Sequence, residues 1–408
     1  MTTKITRRTA IAGGAAGIAL SQAGLSRKAR AQAKPIRIAV INDQTGPYAD
    51  LGGLGSVTSA KLAAEQMGHS VLGRPIEILA GDHQNKPDIG VSLLREWFSS
   101  GVEVAADFAN SAISLAANPL ATQYDKIALH CGSTSSAING SGCGPNGFHW
   151  AQDTYADSTA LFRGLLKAGP KSCYFITVDY AFGLALQDDA VKAIKQFGGS
   201  VVGSVKHPLG DSDYGSYLAS AASSGAQVVV IASAGGDTIT AVKQAAEFGV
   251  TQRQQVVTPI LYLTDVHALG LKAAQGLQFV QSWYWDLTDA SRAWANRWES
   301  DMKRKPTDLQ ASVYSATLHY LKAVQQAGTT ETKTVIAAMK KMPVQDMFTP
   351  NGHIQANNKM VFDVHLMRVK TPAESKYAWD YLEQIAVIPG DQAFRSAADS
   401  GCPFVGKA

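Results

Sequence analysis

One feature limits what this chain can fold into: short, continuous apolar runs of β type alternate, over most of its length, with stretches of helical spacing. Strands are predicted at residues 36–41, 76–80, 102–108 and 127–130, with helices between them at 57–67, 89–99 and 112–124. The grammar restarts at strand 172–178 and runs through helix 183–197, strand 200–206, helix 214–223, strand 227–231 and helix 238–248. A strand that is apolar at every position is covered on both faces, and such strands joined by helices form parallel sheets. Two runs of this kind predict an α/β fold of two Rossmann-like, doubly wound lobes. Segments 147–157 and 276–285 read as passages between the lobes. Helices at 291–304, 312–327 and 334–342, a Pro/Gly break at 349–352, a strand at 360–369 and a mixed stretch at 377–388 then imply a third crossover segment. The expected division is 34–152 with 282–348 as the first lobe, and 153–281 with 349–408 as the second.

The first 33 residues read as an export signal. Arg7-Arg8 sits in a basic n-region, an apolar stretch follows over 10–20, and Ala29-Arg30-Ala31 and Ala31-Gln32-Ala33 both fit small-residue cleavage sites. The arginine pair points to the twin-arginine route and so to the periplasm. No apolar run approaches the ~18 residues a membrane span needs. Removing the signal also changes the charge. The chain has 37 basic and 33 acidic residues, but residues 1–33 hold Lys4, Arg7, Arg8, Arg27, Lys28 and Arg30 and no acid. The mature part is therefore slightly acidic and carries no electrostatic footprint for nucleic acid. Its length exceeds one ordinary core and suits two domains.

The 4 cysteines of an exported chain raise the question of disulfides. Cys131, Cys143 and Cys402 lie in Gly/Ser/Pro-rich, loop-like contexts, whereas Cys173 sits in the run 172–178 and reads as a buried free thiol. The pairing of the loop cysteines stays open; Cys143 with Cys402 is preferred, since it would pin the C-terminal tail and close a long loop.

In open α/β sheets a ligand sits past the carboxyl ends of the strands. In the first half those ends are 42–55, 109–112 and 131–136, rich in small hydroxyls and amides: Asn110-Ser111 and Ser133-Thr134-Ser135-Ser136. Asn110 or Ser111 opens a helix, whose first N–H groups are unpaired and partly positive, a seat for a carboxylate. Plain N-capping explains either cluster alone; both together at adjacent strand ends favour a site. In the second half the ends are 179–183, 232–237 and 258–265, which supply Tyr180, Phe182 and Tyr262, with Tyr155 near the first passage. Aromatic side chains in a cleft sandwich a flat or apolar ligand body. Trp283 and Trp285 read rather as hinge packing. Tyr48 and Asp237, from the strand-end loops 42–55 and 232–237, join the candidates.

Ile36-Arg37-Ile38-Ala39-Val40 leading to Asp43-Gln44-Thr45-Gly46-Pro47 resembles the opening strand and loop of the leucine/isoleucine/valine-type substrate-binding proteins of ABC importers. The resemblance covers roughly residues 35–390 and is carried by the order of the loops. It implies a type I periplasmic binding fold, with two lobes joined by three strands and closing on a ligand. It puts Asn110, Ser111, Ser133 and Thr134 where the family holds the ligand carboxylate, Phe182 beside the ligand, and Ala234 in a loop that carries an aromatic in amino-acid binders. Those members also place an acid in the loop corresponding to 258–261, where it meets the ligand ammonium. Here Thr258-Pro259-Ile260-Leu261 is uncharged. A buried ammonium without a counter-charge is costly, which weighs against an α-amino acid; Asp265 could substitute only with the loop displaced. Residues 146–150 with Asp153-Thr154-Tyr155, residues 263–267, and Gly401-Cys402-Pro403 are similar to a branch associated with aromatic carboxylates of benzoate and hydroxycinnamate type. That branch implies the Cys143–Cys402 bridge. The resemblance further implies a non-catalytic receptor whose partner is an ABC importer permease; no cofactor is expected, and the oligomeric state is open, a monomer being the simplest expectation. Branched-chain amino acids or amides are the alternative ligands, and a periplasmic sensor for a membrane receptor is the alternative role.

Enzymatic readings find little support. Gly53-Leu54-Gly55 begins a GxG, and Asp82 ends the next strand, but these glycines lie too far past the strand for the tight dinucleotide turn, and Thr58 stands where the third glycine should be. There is no GxSxG elbow. The 9 histidines form no HxxxH and no cluster with cysteine at metal spacing, so no metal is expected.

Overall fold

The structure, a computed structural model, describes residues 33–406 apart from 168 and 170. The expected export signal lies outside the described residues, save for Ala33.

The first sheet contains β1 (Ile36–Asn42), β2 (Ser70–Val71), β3 (Arg74–Asp82), β4 (Val104–Asp107), β5 (Ile127–His130) and β6 (Gly147–His149), in the order β2-β3-β1-β4-β5-β6. All neighbours pair in parallel except the short β2, which forms a hairpin with β3. Three helices follow its strands: α1 (Gly53–Gln66), α2 (Pro87–Ser99) and α3 (Ser111–Gln123). Successive side chains of β1 go to opposite faces. Ile36, Ile38 and Val40 share a core with Val57 and Ala60 of α1, and Ala39 and Ile41 share another with Leu94 of α2 and Ile113 of α3. This two-sided burial is why β1 is apolar without alternation.

After α4 (Thr154–Leu165) comes a second, fully parallel sheet of β7 (Ser172–Val178), β8 (Ser200–His207), β9 (Val228–Ala232) and β10 (Gln255–Val257), ordered β10-β9-β7-β8. The helices α5 (Ala181–Gln196), α6 (Gly215–Ser223) and α7 (Gly236–Glu247) connect its strands. Phe175, Val228 and Val230 pack with Leu186 and Ile194 on one face, and Ile176, Val229 and Ile231 pack with Leu218 and Ala241 on the other. The expected fold of two doubly wound lobes is therefore present.

The chain continues through α8 (Leu263–Leu269) and α9 (Leu271–Ala274) into β11 (Gln278–Gln281). Next come α10 (Asp289–Met302), α11 (Asp308–Ala327) and α12 (Thr332–Lys341); α10 and α11 pack on α1, far away in sequence. The hairpin β12 (His353–Ile354) and β13 (Met360–Val361) precedes β14 (Val364–Val369) and β15 (Leu382–Ile388), which join β11 in an antiparallel sheet. A four-residue helix, α13 (Gly390–Ala393), ends this part. The single strand expected over 360–369 is thus broken at Phe362-Asp363. Phe362 turns into an aromatic cluster with Phe348 and Phe394, and the Asp363 carboxylate accepts the Gly390 amide at 3.0 Å.

Polar side chains are buried where the chain passes between the sheets. Lys359 is fully buried, bridges to His149 through the backbone and donates from Nζ to the Ala151 carbonyl. Desolvation lowers its ammonium pKa to about 8, against the opposing pull of Asp153 and Asp157. Burial raises Asp308 to about 6, although its carboxylate accepts from the Ser282 amide at 3.2 Å. Asp189 of α5 accepts from Ser136 and Thr154, each at 2.6 Å, and pairs with Arg395. Cys143 and Cys402 form a disulfide with their Cα atoms 5.7 Å apart, joining the loop before β6 to the C-terminal segment. Cys131 and Cys173 are free and buried. Cys131, which the sequence puts in a loop, follows directly on β5 inside the first-lobe core, and desolvation pushes its thiol pKa far up.

Candidate functional site

The ends of β1, β4 and β5 in the first sheet face the ends of β7 and β9 and the loop after β10 in the second. Between them lies a cavity lined by Tyr48, Leu51, Ala109, Ser111, Gly132, Ser133, Thr134, Tyr180, Phe182, Ala234, Tyr262 and Leu309.

The first-sheet wall is built by unusual backbone. Asp107, Phe108 and Ala109, which end β4, have φ values of 82°, 72° and 39°, a left-handed path that non-glycine residues rarely take. Surrounding bonds hold it there: the Phe108 amide donates to the Ile41 carbonyl at 2.8 Å, and the Cys131 and Gly132 amides donate to the Asp107 carbonyl at 3.3 and 3.0 Å. The detour aims the chain into α3 so that Ser111, its first residue, reaches the cavity. Gly132 is required by close approach, since a Cβ there would lie 2.0 Å from Asp107 Oδ1. Asp107 is itself buried, and desolvation raises its carboxyl to about 6 despite the hydrogen bond from Asn42 Nδ2 at 2.7 Å.

The polar groups on this wall are backbone amides and small hydroxyls. The amides of Ser111, Ser133 and Thr134 donate to no group among the described residues. The Ser133 hydroxyl is held by Ser114 Oγ at 2.8 Å, and the Thr134 carbonyl accepts the Thr154 amide at 2.8 Å. Unpaired amides at and beside a helix start suit an anion.

The facing wall is aromatic. Tyr180 is the residue before α5, Phe182 lies in its first turn 5.9 Å from the Tyr180 ring, and Tyr262 precedes α8. The Tyr48 and Tyr180 hydroxyls meet across the cleft at 2.8 Å, and the Gly236 amide donates to the Pro47 carbonyl at 3.3 Å. Gly235 (φ 58°) permits that approach, since a Cβ there would lie 2.6 Å from Pro47 O. With Ser136 bonded to Asp189, these contacts hold the cleft shut. Burial raises the phenol pKa values of Tyr48, Tyr180 and Tyr262, so all three are neutral at ordinary pH.

Of the residues expected at the site, Tyr48, Ser111, Ser133, Thr134, Tyr180, Phe182, Ala234 and Tyr262 line this cavity. Asn110, Tyr155 and Asp237 do not. The Asn110 side chain caps α3, accepting from the Ala112 and Ile113 amides at 3.0 and 3.2 Å. Tyr155 lies under the Arg395 guanidinium, 4.2 Å from its ring centre. Asp237 accepts the Gly210 amide at 3.0 Å, and desolvation raises its carboxyl to about 7. Asp265 is turned to the start of α8, where it accepts the Tyr262 amide at 3.0 Å, and burial raises it to about 7. Leu51, Ala109, Gly132 and Leu309 line the cavity without having been anticipated. Ala109 and Gly132 adjoin expected residues. Leu309 arrives on α11, and nothing local in the sequence marks it.

A cavity between two doubly wound lobes, with hydrogen-bond donors on one wall and aromatics on the other, defines a solute-binding protein of the closing-cleft class. The family model for periplasmic binding proteins matches residues 35–376, and the chain belongs to that family. A periplasmic binding protein from Burkholderia mallei has the same structure with a TM-score of 0.89 and 41% identity, over 91% of this chain and 99% of its own. A branched chain amino acid ABC transporter periplasmic ligand-binding protein from Burkholderia xenovorans follows with a TM-score of 0.79 and 35% identity, over 90% and 99%. A Rhodopseudomonas palustris solute-binding protein in complex with benzoate shares the fold with a TM-score of 0.79 at 19% identity, over 90% and 99%. The Leu/Ile/Val-binding protein homolog 4 of Brucella abortus is 22% identical over 57% of this chain, and the match spans only 59% of that relative.

Proposed function

We propose that this chain is the extracytoplasmic receptor of an ABC importer and binds a small carboxylate, best an aromatic acid of benzoate or hydroxycinnamate type, in the cleft between its lobes. The lobes are taken as 34–152 with 282–348, and 153–281 with 349–408. One observation carries the ligand class: the cavity sets the unpaired amides of Ser111, Ser133 and Thr134 opposite an aromatic wall, and no charged side chain lines it. An anion finds donors there. An ammonium finds no carboxylate, because Asp265 and Asp237 are bonded elsewhere, and burying it unpaired is costly. The likeness to the Burkholderia xenovorans protein favours a second reading, a branched-chain amino acid.

The first lobe receives the carboxylate, and closure brings Tyr180, Phe182 and Tyr262 over the body of the ligand. Binding favours the closed state by the extra contacts made there, and that state is the one offered to the permease. Calorimetric titration of residues 34–408 with benzoate, 4-hydroxybenzoate, p-coumarate, leucine and valine tests the reading. Binding of aromatic acids alone is expected, and Ser133→Ala with Thr134→Val should weaken it by about 1–3 kcal/mol per charged hydrogen bond lost. Binding of leucine or valine alone would replace this reading with the second.

A further inference from the structure

We infer that His83, which does not line the cavity, is a positioning residue for the carboxylate seat: its neutral ring holds the backbone that aims the Ser111 amide, and a second proton on that ring weakens ligand binding. This rests on the carboxylate reading above, whichever acid the cleft takes. Two stretches of left-handed backbone meet at His83. One is Asp107-Phe108-Ala109 at the end of β4; the other is Gln84-Asn85 after β3, with φ values of 52° and 54°. Such backbone is costly for non-glycine residues and persists only where neighbours hold it. The His83 Nε2 lies 2.5 Å from the Phe108 carbonyl oxygen, and its Nδ1 lies 3.0 Å from the Asn85 amide nitrogen. The carbonyl only accepts and the amide only donates, so the ring carries a proton on Nε2 and none on Nδ1.

Asn85, oriented by this bond, makes two more. Its Nδ2 donates to the Asp43 carboxylate, and its Oδ1 accepts from Asn110 Nδ2 at 3.2 Å, while the Asn110 oxygen caps α3. Asp43 in turn accepts the Gly46 and Tyr48 amides, each at 2.8 Å. One turn thus fixes the loop that carries Tyr48, the left-handed path after β4 and the start of α3.

His83 is fully buried. A doubly protonated ring would set its Nδ1 proton against the Asn85 amide proton, two donors with no acceptor, and the turn would have to give way. Burial lowers the ring pKa below its ordinary 6.5, against the pull of the Phe108 carbonyl and of the Asp43 and Asp82 carboxylates. Asp82 accepts from the Thr45 hydroxyl and the Gln44 and Gln84 amides, and the Lys86 ammonium of the same turn donates to the Gln84 side chain. The Asp107 carboxyl, at the start of the left-handed stretch, is raised by burial to about 6. The ring is therefore neutral at pH 7, and the affinity it supports is full there and is lost as pH falls through the lowered ring pKa.

The test is calorimetric titration of residues 34–408 with benzoate, 4-hydroxybenzoate, p-coumarate, leucine and valine, from about pH 8 to about pH 5.5, where every carboxylate is ionised. For the acid that binds best, His83→Phe should weaken binding about tenfold or more at the alkaline end, and His83→Gln, which keeps a donor for Phe108, by less. Affinity should fall with pH more steeply in the unaltered protein than in either variant. Asp107 titrates in all three proteins, so the difference between the profiles belongs to His83. Unchanged affinity in His83→Phe, or the same profile in all three, would overturn the inference while leaving the carboxylate reading standing. Where the variants do not fold, the His83 ring titration followed by NMR in the unaltered protein decides. Saturation with the acid should lower the ring pKa, since coupling is reciprocal, and an unchanged value would overturn the inference. Binding of no acid at all would overturn the carboxylate reading and this inference with it.

Discussion

Replacing Asp189 should show how firmly the chain segments that meet at its carboxylate are tied together. Its carboxylate is 2% exposed and accepts two hydroxyl hydrogen bonds of 2.6 Å, from Ser136 beyond β5 and Thr154 at the start of α4, while Arg395 of the C-terminal segment pairs with its other oxygen. Hydrogen bonds to a charged group contribute about 1.5–3 kcal/mol each. The nominal sum overstates the loss, since the Arg395 side chain keeps 23% exposure and regains water. Asp189→Ala should therefore cost about 3–5 kcal/mol, the range for breaking a buried pair. Asp189→Asn keeps an acceptor for the hydroxyls and should cost roughly half as much. Urea unfolding followed by far-UV circular dichroism reads this as a lower midpoint at unchanged slope. A double-mutant cycle with Arg395→Met should give a coupling of about 1–3 kcal/mol. A loss below about 1 kcal/mol for Asp189→Ala, or a coupling near zero, would refute the view that this carboxylate joins the segments.

Cys402→Ser opens a bridge between residues 259 apart and should lower stability by about 2–5 kcal/mol, measured as a fall in urea midpoint relative to the oxidised protein. Gly132→Ala forces the Asp107 carboxylate away from beneath the cavity wall and should both destabilise the protein and weaken ligand binding, read by calorimetry and thermal unfolding. Asp237 is raised to about 7 in the folded protein, above its unfolded value, so the proton it holds stabilises the fold fully below pH ~4, and that stabilisation is lost as pH rises through 7. Asp237→Asn should therefore gain stability relative to the unaltered protein between pH 4 and 7, as followed by urea midpoints across that range.

The strand-end loops were legible in the sequence because their chemistry is local. Ser111, Ser133 and Thr134 follow apolar runs that can only be buried strands, and a doubly wound sheet brings such ends to one edge. Asn110 misled for a related reason: residues that cap helices and residues that bind anions are the same types, and here the side chain caps while the neighbouring amides stay free. Asp237 and Asp265 sit at strand ends, yet each is turned to a backbone amide of its own lobe. Which way a side chain turns depends on packing that no local pattern encodes. Leu309 was out of reach because only the assembled fold brings α11 to the cleft. The break at Phe362-Asp363 was hidden for the same reason, since its cause lies in Phe348, Gly390 and Phe394.

The packing of α10 and α11 on α1 also dictates an order of events during synthesis. A chain leaving the ribosome N-terminus first displays β1 with Ile36, Ile38 and Val40 long before Ala311, Val313 and Leu318 exist to join their core. The second sheet, by contrast, is drawn from the unbroken stretch β7–β10 and is complete while the first is still half bare. The apolar face of the first sheet is thus covered only after the second sheet is complete, and it needs shelter until then. Any factor that holds the early segment unfolded through translation forfeits nothing, because the helix that seals it is made more than two hundred residues later.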